Sequence, residues 1–439
     1  MSEFFLELFS EEIPANLQSS ARKELKDIFI KFCELNQINI RGKIKSFSTP
    51  NRLVIFIDKI SEEVEKKSIE IRGPNVNAPD IAIQGFLKSN NINQNQIYKK
   101  TNEKGEFFFF NKPSEKISVF KLFRDNIESL VTKIPWKKSM KWGDYSLYWG
   151  RPLKSILAVF DKKVLNFKID HLQSSNKTFL DKDLEEKIKI FNDFKTYEKY
   201  FKKNDIIIDQ ESRKNLIRKE ITKAEKKYKF HVNINENLLD EVTNLVEKPK
   251  VLVGQFDKKF LNIPKEILIT TMQTHQKYFP TLDNKNNIIN SFIVVADISD
   301  SKGLVKIGNE RVIDARLSDA EFFWNKNKSQ NLVKQISKLK NINYFKGLGS
   351  YFDKIQRMRK LSALISDELL ISKEKIEIAS SICKVDLMSD LVGEFPELQG
   401  VMGGYFAQEQ GFEKEVSQAV SEHYLPIGMD SKIPKKPYS

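Results

Sequence analysis

An α+β, multidomain architecture is what this 439-residue sequence predicts, and three observations carry the prediction. At roughly 150 residues per domain, the length allows about three domains. Apolar patterns of period two and period 3.6 are interleaved through the first part of the chain, so strands and helices are mixed there. Beyond about residue 172 a polar, lysine-rich helical pattern takes over, mixed patterning returns near 245, and helical patterning dominates from 334. The apolar fraction of 40% and charged fraction of 30% belong to a globular chain. Four segments follow: an α+β region over 1–171, a basic, mainly helical segment over 172–244, a second α+β region over 245–333, and a helical region over 334–439.

The elements can be justified in order. Phe5-Leu6-Glu7-Leu8 alternates as a strand does, and Pro14 suits the first turn of a helix. Leu17, Ala21, Leu25, Ile28, Phe29 and Phe32 recur at three and four residues, which predicts a helix over 17–35. Strands are expected at Ile44–Phe47 and Leu53–Ile57, with Thr49-Pro50-Asn51 as the turn between them. Arg72-Gly73-Pro74 reads as a loop, Ile81–Leu87 as a short helix and Glu106–Phe110 as an apolar strand. In 211–230, Ile217, Ile221, Ala224 and Tyr228 form one apolar stripe at helical spacing, and most basic side chains fall on the other faces. Lys250–Phe256 and Ser291–Val295 read as strands, with Thr270–Leu282 extended between them. Gly308–Phe323 is expected to be a helix that buries Val312, Ala315, Leu317, Ala320 and Phe323. Helices at Lys354–Leu370, Lys373–Met388 and after Leu398 complete the chain.

Composition narrows the function. With 73 basic and 59 acidic residues the net charge is +14, a balance that permits nucleic-acid binding. Lysine outnumbers arginine 61 to 12, a bias that an AT-rich genome imposes on any protein. Residues 1–150 carry a net +5, residues 151–339 a net +10 and residues 340–439 a net −1, so the excess sits in the middle. No stretch approaches the roughly 18 uninterrupted apolar residues of a membrane span, and the N-terminus is acidic where a signal peptide is basic. Cys33 and Cys383 are far apart in sequence and offer no disulfide framework or paired-cysteine metal knuckle. A cytoplasmic protein without a membrane partner is the expectation.

No phosphate-cradling glycine loop, zinc-protease helix motif or nucleophile elbow occurs, and the four histidines, His171, His231, His275 and His423, are scattered. No catalytic or metal-ligating residue is assigned. Residues 211–230 hold eight basic and three acidic side chains, either an RNA-backbone surface or a solvated helix face. The candidates there are Arg213, Lys214, Arg218, Lys219, Lys226 and Lys227. In 270–280, His275 and Lys277 stand among aromatic residues, and in 308–323 Arg311 and Arg316 stand at three-residue spacing from Asp314 and Asp319. These four suit a more specific RNA surface, or else a buried strand and helix-surface ion pairs. Residues 136–152 hold three tryptophans, two tyrosines and four basic residues, which fits an RNA surface or an aromatic core edged by lysines.

Several strings together give a resemblance. LELFSEEIP (6–14), STPNRLVIFI (48–57), IEIRGPNVNAPDIAIQGFLKSNNI (69–92), KSMKWGDYSLYWGRPLKSILAVF (138–160) and DEVTNLVEKPKVLVGQFDKKFLNIPKEILITTMQTHQKYFP (240–280) occur in order. NSFIVVADI (290–298), GNERVIDARLSDAEFFWNKN (308–327) and CKVDLMSDLVGEFPELQGVMGG (383–404) follow. The chain resembles the β subunit of bacterial tetrameric glycyl-tRNA synthetase. The resemblance implies that this chain binds and positions tRNA-Gly, inside an α2β2 tetramer, for aminoacylation at the α subunit. Glycyl-adenylate would form there from glycine and ATP with magnesium, and no cofactor is expected on this chain. A domain akin to the B3/B4 region of phenylalanyl-tRNA synthetase is implied for 245–333, and a truncated all-α HD-like domain for 334–439, because members of the family run on to an anticodon-binding domain. Where the family often shows Gly-His-Arg-Phe, this chain has Asn176-Lys177-Thr178-Phe179, so a role tied to that His or Arg does not carry over. A metal-dependent phosphohydrolase is the rival that an HD-like region raises. The counterpart of its ligand pair is Lys384-Val385-Asp386, and no histidine lies between His275 and His423. A general RNA-binding or scaffold protein without a synthetase partner is the remaining alternative.

Overall fold

The computed structural model describes residues 2–66, 68–102, 105–180, 188–429, 431 and 433–439. Its mixed α+β character matches the prediction, and contacts divide the chain into two compact units. One comprises Met1–Arg213 and Thr243–Lys248; the other comprises Lys214–Val242 and Pro249–Ser439.

The first unit is organised by strand β1 (Ser2–Ser10), which is flanked on both sides by antiparallel neighbours. Helix α1 (Ala15–Leu35) follows, then the hairpin of β2 (Ile44–Ser48) and β3 (Arg52–Ile60). Next come β4 (Glu63–Lys66), β5 (Ile69–Asn75), α2 (Asp80–Asn90), β6 (Ile97–Asn102), β7 (Gly105–Lys112), β8 (Glu115–Ser118) and α3 (Val119–Thr132). Strand β9 (Leu153–Phe160) pairs with β1 from the other side, and β10 (Lys163–Val164), β11 (Lys168–Ile169) and β12 (Leu172–Ser175) extend the sheet to the order β11-β12-β9-β1-β3-β2. The short pair β13 (Lys177–Phe179) and β14 (Ile188–Ile190) and helix α4 (Phe194–Lys203) complete the unit's main elements.

Alternation along β1 makes this sheet the middle layer of three. Phe4, Leu6 and Leu8 point into a core shared with Leu25 and Phe29 of α1 and Phe123 and Ile127 of α3. Phe5 points the other way, toward Phe194, Tyr197 and Phe201 of α4. Since both faces are covered, the buried Glu7 on the α4 face needs partners. The Arg72-Gly73-Pro74 stretch, expected as a loop, lies inside β5. The register shifts between Arg72 and Asn75, so Pro74 sits in an irregularity of the ladder, where its missing N–H is tolerated. Trp149 is buried, Trp136 and Trp142 pack on the same core, and Gly150 lies so close to Trp136 that a Cβ would stand 2.6 Å from its ring. For the tryptophans of 136–152 the aromatic-core alternative is the one realised.

The other unit begins within α5 (Gln210–Tyr228) and continues through α6 (Glu236–Thr243). Its three-stranded antiparallel sheet has the order β15 (Lys250–Gln255), β17 (Ile288–Ala296), β16 (Phe279–Leu282). The stretch Thr270–Leu282, expected to be extended, is instead helix α7 (Lys265–Thr270), a π turn over Thr271–His275 and then β16. Helix α8 (Leu304–Lys328) is present and buries Leu317 and Ala320 as predicted, but Val312 and Ala315 are exposed and Phe323 only half-buried, and Ile313 and Trp324 take the buried places instead. The two sets share their centre, and the observed spacing of four, three and four residues is the one that keeps a single stripe on a 3.6-residue helix. After the short α9 (Leu332–Gln335), a hairpin of β18 (Asn343–Phe345) and β19 (Gly349–Ser350) leads into α10 (Tyr351–Leu369). Helices α11 (Lys373–Ile382), α12 (Asp390–Glu394), α13 (Val401–Glu409) and α14 (Lys414–Glu422) close the unit around Leu391, Met402, Phe406 and Val420. The helix predicted to run from Lys373 to Met388 ends at Ile382, and Val385–Met388 is a 3-10 turn.

Candidate nucleic-acid interface

The α5 helix forms because Ile217, Ile221 and Ala224 supply one buried stripe; Tyr228, predicted to continue it, is 52% exposed. Its basic side chains have three different fates. Arg213 is fully buried. Its Nε donates to the carbonyl of Thr243 at 2.8 Å, its Nη2 to that of Ser48 at 2.9 Å, and its Nη1 to those of Ile207 and Ile208 at 2.6 and 3.3 Å. A guanidinium so enclosed fixes the carbonyls that end β2 and α6 and those of the 207–208 connection, and presents no donor to a phosphate, which corrects its assignment as an RNA contact.

Lys214 and Arg218 meet carboxylates from α6. The Lys214 Nζ lies 2.5 Å from Asp240 and 3.3 Å from Glu236, and Arg218 Nη2 donates to both oxygens of Glu236 at 2.8 and 2.9 Å. The bond to Asp240 is the main reason that the Lys214 ammonium holds its proton more firmly than a free lysine does. The bond from Arg218 is the main reason that the Glu236 carboxyl sits below the ordinary range. Lys219, Lys226 and Lys227 are exposed, and Lys227 lies over the Tyr228 ring at 5.1 Å.

The four residues assigned to a more specific surface have separate surroundings. His275 is half-buried and stacks on Phe395 with centroids 5.0 Å apart. Lys277 pairs with Glu241 of α6 at 3.0 Å. Their neighbour Tyr278 is a core residue whose hydroxyl donates to Asn309 at 2.6 Å, with burial pushing its pKa up to about 12. Arg311 and Arg316 are exposed on α8, and among the described residues neither has a carboxylate within ion-pair distance. The ion pairs that their spacing permits with Asp314 and Asp319 are not formed. Asp314 instead accepts the backbone N–H of Asp257 at 3.2 Å.

Two buried polar clusters escaped sequence reading. In the first unit, Glu7 accepts hydrogen bonds from Thr178 and Tyr197 and lies 3.3 Å from Arg52, whose Nη1 reaches Glu247. Arg52 also donates to the carbonyls of Phe179 and Leu180 at 2.6 and 3.1 Å. Burial raises the Glu7 pKa and Arg52 works against that shift, so the cluster is held by mutual neutralisation. Thr178 is part of this buried set. Such residues leave no sequence signal beyond a lone Glu in an apolar strand.

In the other unit, Lys384 is buried, and its Nζ lies 2.7 Å from His423 Nε2 and 3.5 Å from the Tyr424 ring centroid. The His423 Nδ1 lies 2.6 Å from the carbonyl of Val420, which places its proton there and leaves Nε2 as the acceptor. Burial holds Lys384 down at about 8 and His423 at about 4. Asp386 accepts the N–H groups of Gly400 and Gly403, and burial raises it to about 6. Among the described residues, no three His, Cys, Asp or Glu side chains converge as a metal site.

By class, the described residues form a mixed α+β protein with exposed cations on α5 and α8. The sequence comparisons are specific. The profile of the family described as "Glycyl-tRNA synthetase beta subunit" matches residues 4–439. Curated relatives named glycine–tRNA ligase beta subunit include that of Rickettsia bellii, 36% identical over 436 residues, which cover 99% of this chain and 65% of that protein. Those of Rickettsia felis and Rickettsia canadensis are each 34% identical over 99% of this chain, covering 65% and 64% of their own lengths. The chain belongs to the glycyl-tRNA synthetase β-subunit family, a family of aminoacyl-tRNA synthetase subunits, and spans about 65% of the length of these relatives.

Proposed function

We propose that this chain holds tRNA-Gly and positions its acceptor end for aminoacylation at a separate α subunit, within an α2β2 assembly in the cytoplasm. The observation that carries the reading is the family match, which runs from residue 4 to residue 439. On this reading the chain contributes by proximity: it raises the effective concentration of the acceptor end beside an adenylate made from glycine, ATP and magnesium on the partner. The exposed cations Lys219, Lys226, Lys227, Arg311 and Arg316 support it, being available to phosphates in a way that Arg213, Lys214, Arg218 and Lys277 are not.

The test is glycine attachment to tRNA by a purified α subunit, with and without the 439-residue chain, with a longer β-subunit relative as control. Charging that depends on adding this chain is the expected result. A chain that binds tRNAs of every specificity alike, and leaves charging unchanged while the control works, would assign it instead to general RNA binding.

A further inference from the structure

The net charges of +10 over residues 151–339 and −1 over residues 340–439 conceal a local extreme where the two segments meet. Residues 334–360 contain eight lysines and arginines and one acidic residue, Asp353. That carboxylate is already engaged: it accepts from the backbone N–H and hydroxyl of Ser350 at 2.8 Å each, capping the start of α10. Among the described residues, none of the eight cations has a carboxylate within ion-pair distance. On a protein surface so many unmatched like charges repel one another, and they are relieved by a polyanion.

The fold displays these charges together with aromatic rings. In the β18–β19 hairpin the N–H of Leu348 bonds to the carbonyl of Phe345 at 2.9 Å, and Gly347 supplies the positive φ of 82° that the third position of this turn needs. The tip therefore presents Phe345, 67% exposed, beside Lys346. Tyr344 packs edge-on against Tyr351 with centroids 5.3 Å apart, and the Lys354 Nζ sits 3.9 Å over the Tyr344 ring. Lys340, at the end of the preceding 3-10 turn, lies over Phe352 at 4.9 Å, and Arg357 is exposed on the next turn of α10. An exposed ring at a hairpin tip with flanking cations fits a nucleic-acid strand: phosphates take the ammonium and guanidinium groups, and an unstacked base takes the ring face.

We propose that the β18–β19 hairpin and the first half of α10 form an RNA-contacting surface, with Phe345 as a stacking platform and Lys340, Lys346, Lys354 and Arg357 as the phosphate clamp. This rests on the tRNA-holding reading and names a surface for it distinct from α5.

The test is binding of a fluorescently labelled tRNA-Gly transcript to the full 439-residue chain across a salt series, with thermal unfolding checked for every variant. Neutralising the clamp (K340Q/K346Q/K354Q/R357Q) should weaken binding at least tenfold and flatten the slope of log affinity against log salt by about 3, close to one unit for each phosphate no longer neutralised. Phe345→Ala should weaken binding roughly fivefold and leave the slope unchanged, because stacking releases no counterion. Wild-type affinity and slope in folded clamp variants would overturn the proposal. If those variants instead fail to co-purify with the α subunit, the surface belongs to a protein partner. A wild-type chain that holds no tRNA would sink the tRNA-holding reading itself, and this surface with it.

Discussion

Helix α5 and the stretch 334–360 are both lysine-rich, and they differ in how many of their cations folding engages. On α5 three of the six candidate cations are engaged, Arg213 by backbone carbonyls and Lys214 and Arg218 by Glu236 and Asp240 of α6, while Lys219, Lys226 and Lys227 stay exposed. In 334–360 the sole carboxylate caps a helix and feels Arg357 and Lys340 only at longer range, so among the described residues no cation there has a carboxylate within ion-pair distance. A charge run shows how many cations exist. Whether they remain available depends on what folds beside them, and exposed ion pairs that add little to stability still remove charge from the surface.

That comparison can be broken most sharply at Arg213. Arg213→Met leaves buried carbonyls without donors, so it should lower unfolding stability by about 3 kcal/mol, read from the urea midpoint. A variant with normal stability and weakened tRNA binding would return Arg213 to the RNA-contacting set. A second test concerns the pair formed by Lys384 and His423. His423 is held at about 4 by burial first and by Lys384 and Lys354 after it, against 6.5 when exposed. The unfolded chain therefore binds the extra proton between these values, and stability is lost as the pH falls from 6.5 toward 4. The loss attributable to His423 should be on the order of 3 kcal/mol, and His423→Gln, which keeps an acceptor for Lys384, should lack it. Asp386, raised to about 6, gains a proton on folding in part of the same window and works in the opposite direction. The diagnostic quantity is thus the difference between variant and wild type across the pH series; a constant difference would refute the assignment.

Smaller effects sharpen the contrast. Glu236→Gln unpairs Arg218 and leaves Lys214 with Asp240 alone, so tRNA affinity at low salt should rise roughly threefold and the salt slope should steepen. No change would mean that α5 faces away from the RNA. Smallest in stability is the triple variant K219Q/K226Q/K227Q, whose unfolding midpoint should stay at the wild-type value because all three side chains are exposed. Its salt slope decides how much of α5 touches phosphate, and a slope equal to wild type removes these three from the interface.

The sequence by itself determined most secondary structure and the family. The alternation Phe5-Leu6-Glu7-Leu8 and the spacing from Leu17 to Phe32 are local patterns tied to backbone geometry, and β1 and α1 appear where those patterns run. Eight ordered strings sufficed for the family because they depend on order along the chain. Tertiary structure alone decided that Ile313 and Trp324 flank Leu317 and Ala320 on the buried side of α8, that 271–275 is a π turn, and that Thr178 and Tyr197 satisfy Glu7. It also decided which cations stay available. Periodicity fixes the spacing of a stripe but not its direction. A carboxylate 18 residues away along the chain neutralises an arginine only after folding brings the two to 2.8 Å, as it does Glu236 and Arg218.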